Sequence, residues 1–360
     1  MNILLHTEAS PGWGGQEIRI LAEAKAFRWR GWRVLLACQP ESRILVEARD
    51  AGIPVFPICM RGALDLAACV ALRRLMAREG VRLVHTHSSV DSWLATGAAK
   101  LLGLPVVRSR HVSIPVKRRR ALVYHWADRI ITSGEEIKRI LVSAGVSPEK
   151  IVAVAAGVET DRFHPGVSGD HVRKEFGLEG QVVGMVAMFR ASKGHGIFLE
   201  AARKIRLAHP EVRFLIVGDG VGRSNVENSI RTLRLEGAVT LAGFRRDVPE
   251  VMAAMDCIVL PALRSEGTPQ VIPQALALGK PVVASAVGGI PEVIQDGETG
   301  RLVPPGDPHA LAQAVLSVLE NPESAKAMAL RGRELALARF SFVRQIAETE
   351  AVYQELLSGR

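Results

Sequence analysis

Short apolar runs alternate with longer amphipathic stretches along the whole chain, and the series starts twice. In the first half, strands are predicted at Asn2–His6, Arg33–Ala37, Arg82–His85, Pro105–Arg108 and Arg129–Thr132. Helical patterns fall between several of them, at Gln16–Arg30, Leu66–Arg78 and Glu135–Ala144. The pattern breaks at "DRFHPGVSGD", near residue 165. A second series follows at Val182–Ala187, Arg213–Val217, Val239–Ala242, Cys257–Leu260 and Pro281–Ala284, with helices such as Ile197–Ala208 and Gln270–Leu278 between. Alternation of this kind predicts parallel sheets with right-handed crossovers. Two series predict two Rossmann-like domains, 1–165 and 166–340, each binding ligands beyond the carboxyl ends of its strands. Residues 324–357 read as two helices broken near "RFSF". The last helical segment, 341–360, is expected to cross back onto the first domain.

Composition agrees with that architecture. Of 360 residues, 48% are hydrophobic and only 5% aromatic, as suits buried parallel strands covered by helices. No polar low-complexity segment or solenoid repeat interrupts the pattern. No apolar run reaches the roughly 18 residues of a membrane span. The start, "MNILLHT", reads as a first buried strand rather than a leader. Cys38, Cys59, Cys69 and Cys257 form no CxxC, so buried thiols in a reducing cytosol are expected rather than disulfides or zinc.

Charge is distributed unevenly. The net charge is +9, and residues 1–165 hold 24 Lys and Arg against 15 Asp and Glu, so the first half carries the whole excess. Such asymmetry points to an anionic partner, with a plain solvated face as the alternative.

Several motifs stand at predicted strand ends. In "AMFRASKGHG", Arg190 and Lys193 precede a helix that opens at Gly194. A helix start offers free N–H groups to phosphate, and the two cations add a forked donor and a point charge. Solvated loop cations are the alternative. "FLIVGDGVG" ends a strand in Gly218-Asp219-Gly220, a weak signal alone. Asp247 is placed to cap a helix with Pro249 in its first turn. Glu266 stands in a turn before another helix, where a carboxylate can accept from sugar hydroxyls or simply cap. "LVHTHS" puts His85 and His87 on one side of a strand end, but a metal site needs a third ligand, and none is evident nearby.

The order of these motifs is specific: R-x-x-K-G, G-D-G, G-F-x-x-D-V, S-E-G-x-P, G-K-P-V-V-A, G-G-I-P-E and D-G-x-x-G. It resembles the nucleotide-sugar half of the retaining glycosyltransferases of family 4, closely over residues 182–305 and loosely in the first half. The resemblance implies a GT-B fold, with two Rossmann-like domains whose parallel sheets face across a central cleft. It implies a metal-independent hexosyltransferase that uses a nucleotide-diphosphate-sugar, expected to be a UDP-sugar, as substrate and has no cofactor.

Residue roles follow from the resemblance. Arg190 and Lys193 would grip the donor diphosphate, and Glu266 would bind donor hydroxyls. The backbone at Gly267 and Thr268 would help the phosphates, and Gly218 belongs to the same donor-binding surface. Phe244 and Arg245 would lie beside the base. Position 274 would contact the ribose; most relatives have glutamate there, and this chain has Gln274. The loop carrying Gly14 and Gly15 would approach phosphates and acceptor, His87 would reach the transferred sugar, and His111 would line the acceptor side. The alternatives for these are an ordinary strand–helix turn and a structural histidine. The implied reaction retains anomeric configuration, with the leaving phosphate taking the acceptor proton.

Two basic clusters contain tryptophan or precede it: "FRWRGWR" at Arg28–Arg33, and Lys117–Arg120 before Trp126. Arg and Trp together suit a membrane headgroup zone. The expected partners are therefore a nucleotide-sugar, a saccharide or lipid-linked acceptor of envelope polysaccharide or lipopolysaccharide synthesis, and an anionic membrane surface. Nucleic acid is not expected, because no reader motif accompanies the charge. The expected location is the cytoplasm, peripheral on the inner membrane face. The alternatives are an epimerase of the same fold, or a degenerate transferase that binds nucleotide-sugar or membrane as a partner protein.

Overall fold

The computed structural model describes residues 2–116, 121–264 and 267–359. The chain forms two compact units, Met1–Ala156 with Val343–Arg360, and Gly157–Phe342.

The first unit is built on a parallel sheet of seven strands: β1 (Ile3–Glu8), β2 (Arg33–Cys38), β3 (Val55–Pro57), β4 (Leu83–Thr86), β5 (Val106–Arg110), β6 (Arg129–Thr132) and β7 (Ile151–Ala153). Their order is β3-β2-β1-β4-β5-β6-β7. The chain winds one way from β1 to β3, then returns to place β4 on the other side of β1. That switch point is where doubly wound sheets open a crevice at their carboxyl ends. His6 of β1 stands directly opposite His85 of β4 in the register.

The second unit repeats the plan with six parallel strands: β8 (Val182–Val186), β9 (Arg213–Val217), β10 (Val239–Gly243), β11 (Cys257–Leu260), β12 (Val282–Ser285) and β13 (Arg301–Val303). The order β10-β9-β8-β11-β12-β13 puts the switch point between β8 and β11. Helices such as His195–Ala208 and Pro308–Glu320 cover this sheet and bury Phe198, Leu199, Leu311 and Val315 against it. Each such side chain contributes roughly 1.5–3 kcal/mol, whereas an exposed ion pair contributes about 0–1 kcal/mol. The apolar cores therefore carry the stability.

The chain leaves the first unit at Ala156 rather than near residue 165. Val158 already belongs to the second unit, exchanging backbone hydrogen bonds with Phe340 (2.7 Å) and Phe342 (2.9 Å). Gly157 is required there, because a Cβ would lie 2.6 Å from the Phe342 Cα. The two final helices run over Pro322–Arg339 and Phe342–Ser358. The last inserts Tyr353, fully buried, against Phe27 and Trp32.

Cys38 and Cys257 are buried as expected, but Cys59 is exposed and Cys69 half-buried; all four are free thiols. Among the described residues, no helix is long and apolar enough to cross a membrane.

Candidate functional site

At the switch point of the first unit, β1 and β4 bring three imidazoles together. His6 Nδ1 lies 2.8 Å from His87 Nε2, and the rings of His85 and His87 are 4.2 Å apart. His85 is held at both nitrogens, by Tyr353 Oη at 2.6 Å and Ser109 Oγ at 2.8 Å. His6 thus supplies the third histidine that the sequence did not reveal, and one ring nitrogen from each could approach a common ion. Four of the six ring nitrogens are already engaged in these hydrogen bonds, however. The cluster is a hydrogen-bonded stack, and only His6 Nε2 and His87 Nδ1 lack a partner among the described residues.

Burial keeps the stack neutral. His6 is pushed down to about 3, and His85 and His87 fall well below the usual imidazole range. His111, stacked on His87 at 5.9 Å between centroids, is lowered to about 3 by the same burial. Desolvation disfavours the cation, and adjacent imidazoles would repel one another if charged. His87 lines a cavity of about 340 Å³ and can offer a neutral Nδ1 to a hydroxyl there.

Two acids at this end of the sheet escaped the sequence reading. Glu8, at the last position of β1, is fully buried. Burial first, and then the nearby Asp91, raise it to about 8, so it holds its proton at neutral pH. It accepts from the Ser10 N–H at 2.7 Å and from the Gln16 amide, which ties down the loop containing Gly14 and Gly15. Asp91 accepts from Thr7 Oγ1 (2.8 Å) and the His87 and Ser88 N–H groups (2.9 Å each). An acid ending a buried strand just before a Gly-rich loop was the available signal. Gly14 stands just before the helix Gly15–Trp29, its N–H bonded to the Glu17 carboxylate at 2.8 Å. Gly15 faces open space.

At the switch point of the second unit, Arg190 is exposed and Lys193 half-buried in the loop after β8. Gly194 then opens the helix His195–Ala208. Its φ is +78°, and a Cβ would lie 1.8 Å from the Pro261 carbonyl oxygen at the end of β11. Ser192 and Leu263 also share a backbone hydrogen bond of 2.8 Å. The cationic loop is thereby fixed against the β11 loop, with the helix's free N–H groups behind it. His195, edge-on to Phe189, is lowered to about 4 by burial.

The remaining donor-side residues divide. Gly218 (φ +135°) permits a close approach of the backbone: a Cβ would lie 2.1 Å from the Ala187 carbonyl oxygen. Its glycine lets the loops after β8 and β9 pack together. Phe244 is 61% exposed and available for stacking. The fork of Arg245 beside it is engaged in its plane by Glu175 (2.6 and 2.9 Å) and Asp247 (2.6 and 2.8 Å). That pairing draws Asp247 away from capping; it makes no side-chain cap, although Pro249 does occupy the first turn. Gly267 and Thr268 are half-buried in the loop after β11, where a Cβ on Gly289 would meet the Gly267 carbonyl oxygen at 2.5 Å. Gln274 is half-buried in the helix Val271–Ala277, and its side chain bonds no described residue. Glu266 and Lys117–Arg120 lie outside the described residues.

The other basic cluster is largely engaged within the first unit. Arg30 pairs with Glu350, Arg33 with Glu79 at 2.6 Å, and Arg28 donates to the Ala51 carbonyl at 3.0 Å. Trp32 is buried and donates to Glu350 at 3.1 Å, leaving Trp29, 94% exposed, as the free aromatic.

Comparison with known proteins bears on the family and the fold. Residues 13–162 match the family described as Glycosyltransferase Family 4, and residues 180–321 match Glycosyl transferases group 1. A UDP-Gal:alpha-D-GlcNAc-diphosphoundecaprenol alpha-1,3-galactosyltransferase of Escherichia coli is 28% identical over 99% of this chain and 98% of its own. A D-inositol 3-phosphate glycosyltransferase of Segniliparus rotundus is 30% identical over 80% of this chain and 70% of its own. Among solved structures, a glycosyltransferase from Rickettsia africae superimposes with a TM-score of 0.92 at 20% identity, covering 100% of this chain and 99% of its own. Anabaena HepE in complex with UDP gives 0.89 at 22% identity, covering 99% and 100%. The twofold parallel architecture, the ordered motifs and these relatives make the chain a member of glycosyltransferase family 4, a sugar-transferring enzyme with the GT-B fold.

Proposed function

We propose that the chain transfers a sugar from a UDP-sugar to a saccharide or lipid-linked acceptor of envelope polysaccharide or lipopolysaccharide synthesis, with retention at the anomeric carbon. The observation that carries this reading is the loop of Arg190 and Lys193, held by Gly194 at the head of a 14-residue helix at the switch point. Charge on the departing diphosphate grows in the transition state. Cations and helix N–H groups fixed beforehand therefore bind that state better than the ground state. In the step itself, an acceptor oxygen bonds to the anomeric carbon and the bond to the diphosphate oxygen breaks. The acceptor proton passes to that leaving oxygen, and the nucleoside diphosphate departs. Arg190 and Lys193 supply the positive charge the step requires. Neutral His87 would orient a sugar hydroxyl through Nδ1, and Phe244 would stack on the base. Glu266 would accept from donor hydroxyls, and Gln274 from the ribose. The donor and acceptor named for the Escherichia coli relative support the same substrate classes.

An anionic membrane surface is the second part of the proposal. Exposed Trp29, Leu101 and Trp126 on the basic first half support it. The test of the reaction is a panel of nucleotide-sugars incubated with the protein and assayed for released nucleotide. Release from a UDP-sugar is expected, and stimulation by envelope extract. Formation of a 2-epimer, or tight binding without turnover under either condition, would overturn the reading.

A further inference from the structure

The cavity beside His87 holds an unusual charge. Arg108, on β5, is 5% exposed, yet its Nε and one terminal nitrogen have no hydrogen-bond partner among the described residues. Its guanidinium lies 3.9 Å from the centroid of the Tyr124 ring, and no described carboxylate comes within ion-pair distance. Asp91 acts on it only across space, because both Asp91 oxygens already accept from Thr7, His87 and Ser88. Arg110 brings a second guanidinium to the wall. It donates to Tyr124 Oη and the Ile114 carbonyl at 2.5 Å each, and its buried Nε has no partner. The Ser113 hydroxyl is likewise buried and unpartnered. Burying an unpaired cation costs several kcal/mol, and a phosphoryl oxyanion is the group that best matches such donors. The rim has a different character: Val112 and Ile114 are 45% and 56% exposed on the loop that Arg110 holds.

We propose that this cavity binds the acceptor, an amphiphilic diphosphate whose phosphoryl oxygens sit on Arg108 and Arg110 and whose hydrocarbon chain leaves over Val112 and Ile114. The inference rests on the transferase reading above for the word acceptor. It does not rest on that reading for the binding itself. An anion here would neutralise Arg108, and His87, on the same wall, would face the group carried by the diphosphate.

The experiment is calorimetric titration of the full chain carrying R190A and K193A, which removes the donor-side cations. Inorganic pyrophosphate and geranyl diphosphate are the probes. Both should bind, geranyl diphosphate at least tenfold more tightly. Adding R108Q should weaken pyrophosphate at least tenfold. R110Q, at a less buried position, should repeat the loss and stands in if R108Q does not fold by circular dichroism. V112S with I114S should remove the advantage of the prenyl chain and leave pyrophosphate binding unchanged. Equal pyrophosphate affinity with and without R110Q would overturn the anion site. Equal affinity for the two probes would overturn the lipid-linked source in favour of a free sugar phosphate. Binding is read without sugar transfer: a protein that transfers sugar but fails here refutes only the cavity, and one that binds but transfers nothing refutes only the transferase reading.

Discussion

Tyr353 Oη lies 2.6 Å from His85 Nδ1, which joins the last helix of the chain to the histidine stack at the switch point of the first sheet. Both side chains are fully buried, so the hydroxyl has no water to replace the imidazole. Tyr353→Phe keeps the ring contacts with Phe27 and Trp32 but leaves a buried ring nitrogen unpaired. It should cost about 1–3 kcal/mol, read as a lower urea midpoint at unchanged slope. An unchanged midpoint would mean that the stack is not anchored through this bond.

The neutral histidines set the acid side of the stability profile. His6 and His111 stand at about 3 and His195 at about 4 in the folded chain, against 6.5 when exposed. Below 6.5 the unfolded chain therefore binds more protons, and stability falls as pH drops from 6.5 towards these values. By pH 5, each ring held neutral costs roughly 2 kcal/mol. Glu8, raised to about 8, works oppositely: its contribution is full below its unfolded value and is lost as pH rises towards 8. Thermal midpoints measured from pH 8 to pH 5 should decline on the acid side, and His6→Gln should flatten that decline. A midpoint that is level across the range would contradict the neutral stack.

Two glycines separate fold from chemistry. Gly194→Ala places a Cβ against the Pro261 carbonyl at a positive φ, and should destabilise the second unit by more than about 1 kcal/mol. Gly15 faces open space inside the first helical turn. Gly15→Ala should fold and gain up to about 1 kcal/mol of helix propensity. Its turnover should nevertheless fall if that loop borders the reacting groups. Thermal melts beside nucleotide-release rates distinguish the two effects.

Gln274 can both donate to and accept from a ribose, but more weakly than a carboxylate. Gln274→Glu should tighten UDP binding several-fold by calorimetry with little change in turnover at saturating donor. A protein inactive as it stands and switched on by the acid would show that the natural chain is a binding partner rather than a transferase.

Central strands were legible because each is a short apolar run, and the motifs at their ends could be placed by counting along the chain. Of the four edge strands, only β10 was legible. β3, β7 and β13 have three residues each, too few to show a period. His6 was invisible as a partner of His85 because β1 meets β4 only through the crossover at the switch point. The pairing of Arg245 with Glu175 was hidden because the two are 70 positions apart. The packing of Gly218 against the Ala187 carbonyl was equally hidden, because the two are 31 positions apart. Local patterning sets which element a residue joins; long-range pairing decides whether its side chain is available.

The most direct test of sugar transfer by the Arg190 and Lys193 loop is proton NMR of the sugar first released from UDP-α-glucose, or from whichever UDP-sugar turns over fastest, with chelator present. The account predicts the α anomer first, and a rate at least about 10²-fold lower in R190A or K193A. Release of the β anomer first, or full activity in both variants, would contradict it.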